Sequence, residues 1–220
     1  MERTGDRMML VTRPNYDPAT RYLSAWSLVL IEEAKKKGLT VIDLAYEKAR
    51  RSEVEGRLQK TNPDLVVLNG HGSDDCVTGQ DGEILIQAKD NAPLLKGKVT
   101  YAVSCNSAVI LGAEAGKYPD TAYIGYEKEF AMFQSRDHLS RPLEDPFAQP
   151  FMELSNHVVT SLLKGHGASE SIKRAKEVGK TRIYSLLASN ADANAQAVAR
   201  YLWWDVQCLV CKGDQEKRAA

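Results

Sequence analysis

The chain alternates short, continuously apolar runs with longer stretches whose apolar residues recur every three or four positions. Met8–Thr12 is the first such run and predicts a strand. Residues Arg13–Pro18 are turn-rich and lead into a predicted helix over about Thr20–Lys37, with Leu23, Trp26, Leu30 and Ala34 on one face and Gly38 as its stop. Leu39–Leu44 predicts a second strand, Arg50–Lys60 a charged amphipathic helix, and Asn62-Pro63-Asp64 a break. The run Leu65–Leu68 is apolar on both faces, the pattern of a buried parallel strand. Cys76–Thr78 and Glu83–Ile86 flank Gln80-Asp81-Gly82, and the Asp-Gly pair predicts a hairpin inserted after the third strand. Lys98–Ser104 predicts the fourth core strand, Asn106–Ala115 a helix, and Thr121–Tyr126 the fifth strand. The stretch Glu127–Pro150 is polar, carries three prolines and shows no period, which predicts a long loop of the functional or mobile kind. Helices follow over about Phe151–Lys164, Ser169–Leu187 and Asp192–Cys208. This alternation predicts an α/β fold with a mostly parallel, doubly wound sheet and helices on both faces.

Length and charge narrow the class. At 220 residues the chain is expected to form one sizeable α/β domain spanning 1–220. Apolar residues make up 43% and charged residues 26%, and the formal net charge is zero, so nothing points to a nucleic-acid or anionic-membrane partner. Lys35–Lys37 is basic but closes a helix, where cations suit the dipole. The cysteines Cys76, Cys105, Cys208 and Cys211 are too few and scattered for a disulfide scaffold. The N-terminal residues carry no apolar signal core, and no apolar run reaches membrane-spanning length, so the expected setting is a reduced cytoplasm.

Ligands of open parallel sheets bind beyond the C-terminal ends of the strands, and two reactive residues fall there. His71 follows the third strand in Leu68-Asn69-Gly70-His71-Gly72, and Cys105 follows the fourth in Ala102-Val103-Ser104-Cys105-Asn106. Neighbouring strands lie about 4.8 Å apart, and consecutive elements are usually adjacent, so these tips are expected to meet. A thiol needs a base, or an imidazolium beside its thiolate, to act as a nucleophile. The helix predicted after Cys105 would favour the thiolate further. Gly72 leaves room for a substrate carbonyl, and its backbone N–H with that of Cys105 would make an oxyanion hole. Such parts describe acyl transfer through a thioester, with no cofactor required.

Other arrangements fit less well. A Cys-x5-Arg phosphatase needs arginine where Leu111 stands. Glutamine amidotransferases place their histidine well downstream of the cysteine, but His138, His157 and His166 follow no predicted core strand. The pair Cys208 and Cys211 lacks two further zinc ligands and follows a helix rather than preceding one, so both read as structural. Cys76 has no role in this reading.

An apolar strand ending in His-Gly, followed by a second ending in Ser-Cys, resembles the caspase-like cysteine peptidases. That clan includes caspases, metacaspases, gingipains, clostripain, legumain, separase and the CHAT domains. The stretch Ile84–Ser107 is most similar to the gingipain and CHAT branches, and the resemblance covers about Met8–Tyr126. It implies a thiol peptidase (a hydrolase acting on a protein or peptide substrate) with His71 as base, Cys105 as nucleophile and Gly72 as oxyanion donor. The same resemblance leaves specificity open. Metacaspases and clostripain carry an aspartate two positions before the cysteine to select Arg or Lys, whereas Val103 stands there in this chain. Asp74, Asp75, Glu127 and Glu129 are alternative acids for a basic residue before the cut, and Arg13 is a candidate for reading an acidic one. The loop Glu127–Pro150, with Ser135-Arg136 and Ser140-Arg141, is expected to gate the site or to be self-cleaved. A regulatory protein is a further candidate partner. The competing reading is a catalytically silent interaction domain on the same fold.

Overall fold

The computed structural model describes residues 7–188 and 193–219. Its central sheet has the strand order β2-β1-β3-β6-β7-β8. The strands β1 (Met8–Arg13), β2 (Thr40–Ala45), β3 (Leu65–Asn69), β6 (Val99–Val103) and β7 (Ala122–Tyr126) are parallel, and β8 (Leu209–Gly213) closes one edge antiparallel to β7. A separate hairpin of β4 (Cys76–Thr78) and β5 (Ile84–Gln87) lies between β3 and β6 in the chain. This is the mostly parallel α/β sheet that the apolar runs predict.

The two faces of the sheet have different covers. Met9, Val11, Val67, Tyr101, Val103 and Ile124 pack under α1 (Pro18–Lys36), α4 (Gln149–Leu163), α5 (Ala168–Leu187) and α6 (Ala193–Cys208). On the other face Leu10, Val66, Leu68, Ala102 and Tyr123 meet α2 (Arg51–Thr61), α3 (Leu111–Ala115) and the hairpin residues Val77, Leu85 and Ile86. Every residue of β3, β6 and β7 is therefore buried. Each fully buried Leu or Val side chain contributes about 1.5–3 kcal/mol, so the strands that carry the candidate residues are among the best anchored in the molecule.

Three elements and one connecting segment differ most from expectation. The first helix begins two residues earlier than predicted because Asp17 caps it and Pro18 occupies its first turn, where a missing N–H is no loss. The helix expected over Asn106–Ala115 shrinks to Leu111–Ala115, and residues 105–110 form turns. Leu209–Gly213 forms a strand that the pattern hides, since no turn residue separates it from α6. The predicted helix start at Asp192 lies outside the described residues.

The fourth difference concerns residues 127–150. Two short 3-10 turns, Arg136–His138 and Pro142–Glu144, are their only regular structure ahead of α4. The segment is nonetheless tightly pinned. Asp145 is fully buried and accepts from Tyr22 Oη at 2.5 Å, Ser135 N at 2.7 Å and Phe147 N at 2.9 Å. Trp26 Nε1 donates to the Pro142 carbonyl, Ala131 N to Asp205, and Trp204 Nε1 to the Glu129 carbonyl. Polar composition here reflects hydrogen bonding to the body of the protein. No helix among the described residues is long and apolar enough to cross a membrane.

Candidate active site

Parallel β3 and β6 pair directly, with Asn69 opposite Val103 at the last rung of the ladder. His71 and Cys105 each stand two residues beyond that rung and line one cavity. The tips expected to meet do so because the neighbouring strands end at the same level.

The turn after β3 owes its shape to close backbone approach. A Cβ on Gly70 would sit 1.9 Å from the Thr78 carbonyl oxygen. On Gly72 it would sit 2.0 Å from Ser104 Oγ, and 2.9 and 3.0 Å from the carbonyl oxygens of Cys76 and Cys105. Glycine at position 72 is thus required by packing of this turn onto the residues that follow β6. Thr78 N donates to the His71 carbonyl at 2.8 Å, and Ser73 N to the Cys76 carbonyl at 3.1 Å, so the hairpin braces the turn from below. Cys76, which has no role by sequence, is buried in that brace with its Sγ 3.3 Å from Ser73 Oγ.

His71 has a partner that sequence reasoning does not anticipate. Its Nε2 lies 2.5 Å from Asp17 Oδ2. The other oxygen of Asp17 accepts from Thr20 N at 2.8 Å and Thr20 Oγ1 at 2.9 Å, which is the helix cap of α1. One carboxylate therefore caps a helix and holds an imidazole. Burial works to raise the Asp17 carboxyl, but the Thr20 N–H and His71 outweigh it and hold the group below its ordinary value. The sequence signal was present as Asp-Pro ahead of a helix; the second role depends on β1, and hence α1, lying beside β3.

Cys105 sits in a different setting. Its Sγ lies 4.0 Å from the carbonyl oxygen of Phe130, and no hydrogen bond joins it to His71. Burial pushes the thiol above its ordinary value, and the charge of Glu129 adds to this. The helix that would have lowered it starts six residues further on, at Leu111, so that expectation is corrected. Asn106, next in the chain, takes the left-handed conformation at φ 57°, a turn Asn tolerates better than most residues. Its N–H is occupied by the Lys128 carbonyl. Among the described residues, the N–H groups of Gly72 and Cys105 donate to no backbone carbonyl.

The candidate specificity residues lie elsewhere. Asp74 and Asp75 line a separate, open cavity of about 600 Å³ on the far side of Gly72, and the Asp75 carboxylate is occupied by Ser73 and Gln87. Glu127 pairs with Lys212 at 2.6 Å, and Glu129 is exposed. Arg13 is buried, with Nε and Nη2 on the two oxygens of Asp43 at 2.8 and 2.7 Å and Nη1 on Ser24. With its charge paired to Asp43, Arg13 does not line the cavity shared by His71 and Cys105. Cys208 and Cys211 are free thiols on α6 and β8, both pushed up by burial, Cys211 to about 11. His166 lies in the connection between α4 and α5. Among the described residues, no group of three or more His, Cys, Asp or Glu side chains is placed to hold a metal ion.

A mostly parallel sheet with helices on both faces and a hairpin inserted after the third core strand is the architecture of the caspase-like fold. Two solved structures share it. The crystal structure of the Arg-specific cysteine proteinase gingipain R matches with a TM-score of 0.62 and 11% identity, over 96% of this chain and 47% of that one. The complex of the Porphyromonas gingivalis RgpB pro- and mature domains matches with a TM-score of 0.57 and 11% identity, over 96% and 48%. This chain thus spans about half the length of either structure. No protein-family model and no curated protein matches the sequence.

Proposed function

We propose that the chain is a cysteine endopeptidase in which Cys105 attacks the peptide carbonyl and His71 takes the thiol proton. The observation that carries this reading is the shared cavity at the ends of β3 and β6. With Nε2 of His71 donating to Asp17, Nδ1 is the nitrogen left to act as base. Burial keeps the resting thiol protonated, so His71 serves as a general base when substrate arrives rather than as half of a preformed ion pair. Attack by Sγ forms a tetrahedral oxyanion against the N–H groups of Gly72 and Cys105. The imidazolium then returns its proton to the leaving amine, and water hydrolyses the thioester to the acid and the free thiol.

Residues 127–150 regulate access in this reading. The Phe130 carbonyl oxygen lies 4.0 Å from Sγ, so the segment stands beside the nucleophile and its position sets access to it. A protein or peptide substrate, and a regulatory protein that displaces the segment, are the partners this implies. Intact-mass comparison of wild type with Cys105→Ala tests self-cleavage within residues 127–150: identical masses leave gating alone.

The raised thiol and the absent Sγ–imidazole hydrogen bond favour a second reading, a silent interaction module. Iodoacetamide separates the two. A peptidase alkylates at Cys105 well ahead of Cys76, Cys208 and Cys211, with a pH profile that His71→Ala abolishes. Uniformly slow alkylation, and no peptide cleavage that depends on Cys105, establish the silent module instead.

A further inference from the structure

The cavity shared by His71 and Cys105 is small, about 160 Å³, against roughly 300–1,000 Å³ for pockets that take a whole drug-sized ligand. It is the size of a site for one side chain. Three parts of the fold wall it: α1 with Ala19 and Leu23, the end of β6 with Val103, and residues 127–150 with Phe130 and Met132. The other lining side chains, Thr20, Ser104 and Gln134, are uncharged.

The acids nearby are committed elsewhere or stand outside the wall: Glu129 acts on the Cys105 thiol through its charge, but it is exposed to solvent and does not line the cavity. Asp17 is engaged by His71 and Thr20. Asp145 is engaged by Tyr22, Ser135 and Phe147. Asp205 accepts from Ala131 N and does not line the cavity. A guanidinium, ammonium or carboxylate entering here loses its water and meets no opposite charge in the lining, which is strongly unfavourable. An aliphatic side chain entering the same walls buries apolar surface on both sides.

Resting on the peptidase reading above, we propose that this cavity receives the side chain immediately before the scissile bond and that the enzyme cuts after uncharged, apolar residues of the size of Val, Leu or Met. The basic preference expected from Asp74, Asp75, Glu127 and Glu129 has no structural counterpart, since none of the four lines the cavity.

The test uses the full chain and three peptidyl acyloxymethyl ketones that differ only in the residue next to the reactive carbonyl: Leu, Arg or Asp. The thiolate displaces the carboxylate leaving group, and intact mass reads the adduct on Cys105. The Leu probe is expected to label about a hundredfold faster than either charged probe. Met132→Glu, a half-buried position outside the strands and helices, places a carboxylate in the wall and is expected to move the ratio toward Arg by tenfold or more. Faster or equal labelling by the Arg or Asp probe overturns the apolar assignment and leaves the peptidase reading intact. An unchanged ratio in folded Met132→Glu overturns the cavity as the selecting site. If no probe labels, iodoacetamide decides: selective alkylation of Cys105 overturns the apolar assignment alone, and uniformly slow alkylation overturns the peptidase reading with it.

Discussion

The two strand ends that form the site are held in opposite ways. At the end of β3, His71 is half exposed, fixed by a carboxylate of the α1 cap and braced by the hairpin. At the end of β6, Cys105 is mostly covered, faced by a carbonyl and left without a charged partner. On the peptidase reading, the proposed base is preorganised and the proposed nucleophile is restrained. Such a site would keep its proton acceptor in position, while the reactivity of the thiol would depend on residues 127–150. That reading separates catalytic geometry, carried by the amino-terminal half of the fold, from access, carried by the carboxy-terminal half.

This contrast can be broken at either end. The largest effect is expected from Cys105→Ala, which removes the nucleophile: peptide cleavage falls by about 10³-fold or more with little change in the melting temperature, measured side by side on one preparation. Gly72→Ala comes next, because its Cβ meets Ser104 Oγ and two carbonyl oxygens. Overpacking of this kind costs about 1–3 kcal/mol, read by urea unfolding, and cleavage falls with it as the turn carrying His71 shifts.

Asp17→Asn sharpens the contrast on the histidine side. Asn caps helices as well as Asp does, so stability should hold within about 0.5 kcal/mol, while turnover drops about ten- to a hundredfold through misorientation of His71. A loss of stability without loss of turnover would reduce Asp17 to a helix cap. The smallest effect probes the other half. Asp205 is fully buried, one of its oxygens has no partner, and burial pushes its carboxyl well above the ordinary value. Below about pH 4, the ordinary carboxyl value, folded and unfolded chains both carry the proton. Above it only the unfolded chain releases the proton, so wild type loses stability as pH rises toward neutrality. Asp205→Asn should therefore be more stable than wild type by about 1 kcal/mol at pH 7, a rise of roughly 2–4 °C in melting temperature, and the gap should close below pH 4.

Much of this architecture was legible beforehand. Continuous apolar runs marked β3, β6 and β7 because both of their faces are buried, and the Asp-Gly turn marked the hairpin. His71 and Cys105 stood out because strand ends are where parallel sheets present side chains. β8 stayed hidden because Leu209–Gly213 follows α6 without punctuation, and its strand character comes from pairing with β7. Residues 127–150 looked loose because the sequence shows polar groups but not the buried Asp145 and Asp205 that bind them.

By itself the sequence determined the parallel core of the sheet and the placing of His71, Gly72 and Cys105 at its strand ends, since these follow from local pattern and strand order. Tertiary structure alone decided that Asp17 holds His71, that the Phe130 carbonyl lies against Cys105, that Arg13 is consumed by Asp43, and that the cavity wall is uncharged. Each of these joins residues at least 25 positions apart, and which distant side chains share a few ångströms is set by how helices and loops pack on the sheet.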